Sequence, residues 1–154
     1  VADGGSAGGL LMGAVANMAP ECFAGVEADV PFVDALTSIL DPSLPLTVTE
    51  WDEWGDPLHN ADVYRYMKEY TPYENAPSDA NDARVAVFPK IFITTSMLYV
   101  EPMKWLARLQ RAGVDAVAKI EVEAGHGGTS GRYKQWEEIS YENAWCLGVM
   151  GITS

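Results

Sequence analysis

Cysteine, histidine and basic side chains are all scarce in this chain. Two Cys and two His stand among 154 residues, and 10 Lys and Arg face 22 Asp and Glu. Cys22 and Cys146 lie far apart and neither belongs to a CxxC pair, which predicts two buried free thiols and no disulfide or metal site. The formal charge of −12 argues against nucleic acid or an anionic membrane as partner and favours cationic ligands. No run of 18 apolar residues occurs, so no membrane span is predicted, and no signal peptide is visible. The acidic residues lack EF-hand spacing, and no metal or cofactor is expected.

What is present suits one globular domain. The chain is 48% hydrophobic with five Trp and seven Tyr, enough for a sizeable core. "VAD" reads as the end of a strand, and "AGGLLMGAVANMAPE" as a helix stopped by Pro20. Strand character returns in "FAGVEADVPFV", "FPKIFITTS" and "VDAVAKIEVEAG". Helical spacing marks "VDALTSIL", "NADVYRYMKEY", "EPMKWLARLQRAG" and "GRYKQWEEISYENAWCLGVMG". The proline-punctuated acidic stretch "DPSLPLTVTEWDEWGDP" reads as a long loop. Strands alternating with helices predict an α/β fold with a parallel sheet covered on both faces.

Two glycine-rich stretches carry the chemistry. In "GGSAGG", Gly4-x-Ser6-x-Gly8 fits a nucleophile elbow, in which a serine is thrust up on a tight strand-to-helix turn. The Ala7 amide, at the helix start, would then be one oxyanion-hole donor. GxSxG alone is a weak signal, strengthened here by its place between a strand and a helix. His126, in "GHGG" after the last strand, stands C-terminal to the serine, as the order Ser…Asp…His requires. His59 reads as a surface residue.

"GGSAGGLLMGAVANMAPECFAGV", "VPFVDALTSILDPSLPLTVTEWDEWGDP", "YMKEYTPYEN", "YVEPMKWLARLQ" and "AGHGGTSGRY" closely resemble, in order, the catalytic domain of the prolyl oligopeptidase family of serine peptidases, in its oligopeptidase B branch. The resemblance implies an α/β-hydrolase fold, here its C-terminal portion, as one partial domain over residues 1–154. It implies a β-propeller and early sheet strands absent from this chain, and a second oxyanion donor, a tyrosine, in the missing upstream part. It further implies cleavage of short basic peptides after Arg or Lys, in the cytoplasm. Opening with Val on a catalytic-looking motif, the chain reads as a piece of something longer and as inactive alone. A general carboxylesterase on the same fold and a non-catalytic fragment are the alternatives.

The likeness assigns further residues. Glu50 and Asp52 match paired acids that select a basic P1 side chain. The competing readings of that acidic stretch are a solvated charged loop and, ranked lower, a Ca²⁺ site. The family's triad acid follows the strand resembling "KIFITTS", within an Asn-Asp-x-Arg-Val motif. Here "FITTSM" runs directly into "LYVEP", and "NDARV" stands upstream at residues 81–85. On that match Asp82 is the expected triad acid and Arg84 a substrate-backbone ligand, provided that Asp82 reaches the far end of its strand.

Overall fold

A computed structural model describes residues 1–97, 99–122 and 132–152. Four strands, β1 (Ala2–Gly5), β2 (Gly25–Asp29), β3 (Lys90–Ser96) and β4 (Ala116–Glu121), form a parallel sheet in the order β1-β2-β3-β4. Gly5 lies opposite Asp29, Asp29 opposite Thr94, and Ser96 opposite Glu121. All strands therefore end on one edge of the sheet, where ligands bind in open α/β architectures. The expected α/β-hydrolase arrangement is what the chain adopts.

Helices cover both faces. Val26 and Ala28 of β2 and Ile91 and Ile93 of β3 are fully buried. They pack with Ala16 of α1 (Ala7–Met18) and with Trp105, Leu106 and Leu109 of α6 (Val100–Ala112). Such a both-faced core needs near-continuous apolar strands, and "KIFITTS" supplies one. On the other face lies α7 (Arg132–Val149). Its Trp145 stacks on Phe92 at 5.4 Å. A side chain at Gly25 would come within 2.9 Å of Trp145 and Val149, so the helix approaches the sheet backbone there.

Between β2 and β3 run α2 (Ala35–Ile39), α3 (Thr47–Trp54), α4 (Ala61–Tyr70) and the short α5 (Pro72–Asn75). The helix α3 corrects the expected long loop. It fits between Pro45 and Pro57, and Trp51 and Trp54 pack against a small cluster of Leu36, Ile39 and Met67. A second correction concerns Cys22, which is exposed. It ends a 3-10 turn, Pro20–Cys22, whose Glu21 and Cys22 face outward. Cys146 is half-buried with its thiol 3.2 Å from Glu27.

Candidate active site

Ser6 is the single residue between β1 and α1. Its backbone sits at φ 54°, ψ −117°, a conformation that costs a non-glycine residue about 1–3 kcal/mol. Hydrogen bonds hold it there. The Ser6 N–H donates to the Asp29 carbonyl at 2.9 Å, and the Ser6 carbonyl accepts from Phe32 N–H at 3.0 Å and Leu10 N–H at 3.2 Å. Two glycines let the chain fold back so tightly. A Cβ on Gly4 would lie 2.7 Å from the Gly8 carbonyl oxygen, and one on Gly9 would lie 2.5 Å from Pro31. Gly8 has open space instead, so packing demands Gly9 more than the motif's own second glycine. Ser6 and Ala7 are exposed. The Ala7 N–H belongs to the first turn of α1, where amides have no helical acceptor and the dipole favours an anion.

Backbone strain recurs at Val30, next to this turn, and at Leu46, the start of α3. Among the described residues only Ser6, Val30 and Leu46 combine a side chain with positive φ, at 54°, 38° and 74°. Val30 follows β2 directly beside Ser6, its N–H bonded to Thr94. Leu46 introduces α3, its carbonyl capturing the Glu50 N–H at 2.9 Å. Such conformations persist where surrounding contacts over-determine them, and functional sites are where they collect.

The acidic helix is tied close to the serine. Phe32, bonded to Ser6 through its amide, places its ring 5.8 Å from that of Trp54 on α3. Thr47, Trp51 and Trp54 form the inner side of α3. Glu50 stands one turn from Thr47 and Trp54 and is half-buried, whereas Asp52 is exposed. Two residues apart on a helix means about 200° of rotation, so the two carboxylates expected to act as a pair leave α3 on different sides. His59, expected at the surface, is 68% exposed and hydrogen-bonded to Asp56.

Asp82 stands elsewhere. It precedes a 3-10 turn, Ala83–Val87, that leads into the start of β3. Val85 of that turn faces Gly113, which leads into β4. This is the edge where strands begin, and a seven-residue strand spans about 20 Å from there to the Ser6 edge. The Asp82 carboxylate accepts the Arg84 guanidinium, which also reaches the Asn75 carbonyl. Those hydrogen bonds hold the Asp82 carboxyl below its ordinary pKa. His126 falls in sequence between β4 and α7, outside the described residues.

The sequence reading passed over carboxylates on the Ser6 edge, Asp29 and Glu121 among them. Asp29 ends β2, gives its carbonyl to Ser6 and takes a hydrogen bond from the Thr94 hydroxyl. An acid closing a parallel strand was the signal available.

Residues 1–153 match the prolyl oligopeptidase family. The chain belongs to that family. It is 47% identical to Protease 2 of Moraxella lacunata over 98% of its length and 43% identical to dipeptidyl aminopeptidase BI of Pseudoxanthomonas mexicana, again over 98%. Oligopeptidase B of Leishmania major superposes with a TM-score of 0.89 over 99% of the chain at 37% identity. This prolyl oligopeptidase family segment spans about a fifth of each of them: 22%, 21% and 21%. Among the described residues no helix is long and apolar enough to cross a membrane.

Proposed function

We propose that this segment is the C-terminal part of the catalytic domain of a serine-type oligopeptidase, one that cleaves short peptides after Arg or Lys in the cytoplasm. The observation that carries the reading is the Ser6 turn: a strained, exposed serine between a parallel strand and a helix start. In the proposed reaction Ser6 Oγ attacks the scissile carbonyl carbon while His126 takes its proton. The tetrahedral oxyanion accepts the Ala7 N–H, and His126 then protonates the leaving amine. Water cleaves the acyl-enzyme by the same steps, regenerating Ser6. Upstream of Val1 the parent protein would supply the remaining strands, a tyrosine as second oxyanion donor and a β-propeller.

For substrate selection, Glu50 is the proposed partner of the P1 guanidinium or ammonium, beside the Trp54 indole. Asp52 contributes charge from outside that contact. The chain's formal charge of −12 would draw basic peptides towards it. Arg84 would meet the substrate backbone only if it reached the Ser6 edge, and its bonds to Asp82 and Asn75 weigh against that. For the acid that orients His126 there are two candidates. The motif favours Asp82, and the common sheet edge favours Asp29. The experiment is turnover of an Arg-amide and of a short neutral acyl ester by the parent protein. Strong preference for the Arg-amide is expected. Ester turnover without it would mean a general carboxylesterase, and turnover of neither a non-catalytic relative.

A further inference from the structure

α3 carries the proposed P1 acid yet is poorly equipped to hold its own position. It has eight residues, of which only Thr47 is buried, and α2 before it has five. Helices so short are not stable alone, so contacts from elsewhere must fix where Glu50 stands. The two indoles attach α3 to its apolar cluster. Apolar contact is non-directional and leaves rotation and sliding open. Directional bonds to α3 come from α2, and α6 in turn holds α2.

Glu101 lies in the first turn of α6, where the helix dipole favours a carboxylate. One of its oxygens accepts the Asp34 N–H at 2.9 Å, and the other accepts the Ser38 hydroxyl. The Ser38 carbonyl in turn accepts the hydroxyl of Thr47, the first residue of α3, at 3.1 Å, and the next carbonyl, of Ile39, accepts Trp51 Nε1 at 3.0 Å. Asp34, 2% exposed, completes the clamp: its carboxylate takes Lys104 of α6 and the Thr37 hydroxyl. Two residues before it, Phe32 is bonded to Ser6. One carboxylate of α6 thus holds the N-cap and the fourth residue of α2, over separations of 67 and 63 residues, and α2 lies in the chain between the segment bonded to Ser6 and the helix bearing Glu50.

On this geometry, and resting on the P1 role proposed above for Glu50, we infer that Glu101 is a positioning residue for substrate selection: through Asp34 and Ser38 it sets α3 relative to Ser6. Burying a carboxylate is unfavourable unless it is well bonded, and both of its oxygens are used in fixing this one segment. Glu101 meets no substrate. Its loss moves the basic-side-chain contact and leaves the serine chemistry in place.

The test is made in the parent protein with the same Arg-amide and neutral ester, alongside hydrogen exchange of residues 47–54. Glu101→Ala is expected to raise KM for the Arg-amide about 10-fold and to speed exchange across α3, while kcat/KM for the ester stays within about 2-fold. Ser38→Ala, the milder cut, is expected to raise that KM about 3-fold, and Glu101→Gln, which keeps one acceptor, to recover much of the loss. Equal loss on both substrates, or an Arg-amide KM that Glu101→Ala leaves unchanged while Glu50→Gln raises it, overturns the inference. Glu50→Gln, run in parallel, separates the two readings. If it too leaves the Arg-amide KM unchanged, the P1 reading has failed and exchange decides: faster exchange in Glu101→Ala upholds the anchor, and unchanged exchange overturns it.

Discussion

The two candidate acids, Asp82 and Asp29, stand in opposite kinds of contact. At the edge where strands begin, Asp82 and Arg84 are two residues apart and bond each other. At the edge where strands end, Ser6, Asp29, Phe32, Asp34, Ser38 and Glu101 are joined across the chain, by hydrogen bonds that reach 67 residues. A local pair can form wherever its short stretch of sequence is put. A site joined across the chain exists only when the whole sheet is in register. "NDARV" is thus a motif that keeps its internal bonding while standing at the end opposite the serine.

Replacing the two candidate acids breaks that comparison most sharply. A carboxylate that orients the catalytic imidazole is worth about 10⁴-fold in kcat. Asp29→Asn in the parent protein is expected to lose activity on that scale, and Asp82→Asn less than about 10-fold. The reverse order, read from steady-state kcat, would mean that the starting-edge motif reaches His126 after all. Glu50→Gln comes next: kcat/KM for the Arg-amide is expected to fall about 100-fold, the scale of one partly buried charge pair, with the neutral ester nearly unaffected. Equal losses would remove Glu50 from the P1 contact.

Smaller effects sharpen the contrast through stability. Glu27, 5% exposed on β2 against Cys146 of α7, has its carboxyl pushed by burial up to about 7 from an ordinary 4.5. The folded state therefore keeps a proton that the opened state releases. That contribution is complete below about pH 4.5 and is lost as pH rises towards 7, by at most about 3 kcal/mol. Hydrogen-exchange protection of α7, corrected for intrinsic rates, is expected to fall between pH 5 and 8, and Glu27→Gln to flatten the slope. A slope that survives Glu27→Gln assigns it to another group. Least of all, Arg84→Ala should cost under about 1 kcal/mol, as for local ion pairs near the surface, measured by chemical denaturation.

How much of this was legible follows the same division. The strand-to-helix turn at Ser6 could be read because Gly4, Ser6 and the helix after them are contiguous. The parallel sheet could be read because "KIFITTS" and "FAGVEADVPFV" are apolar runs between helical ones. α3 was missed because it is short, three of its eight residues are acidic, and prolines flank it. What makes it a helix is the partnership of Trp51 and Trp54 with residues 36, 39 and 67. Glu101 was missed for the same reason: its partners Asp34 and Ser38 lie 67 and 63 residues away, whereas Asp29 carried only the weak signal of an acid closing a strand. The matched acids Glu50 and Asp52 looked alike in sequence and diverge once the backbone between them coils.

The most direct test of the central claim is covalent capture at the nucleophile. The parent protein would be treated with a fluorophosphonate and digested, and the adduct located by mass spectrometry. A single adduct on Ser6, absent in Ser6→Ala together with Arg-amide turnover, is the predicted result. Turnover that persists in Ser6→Ala, or an adduct on another serine, would contradict it.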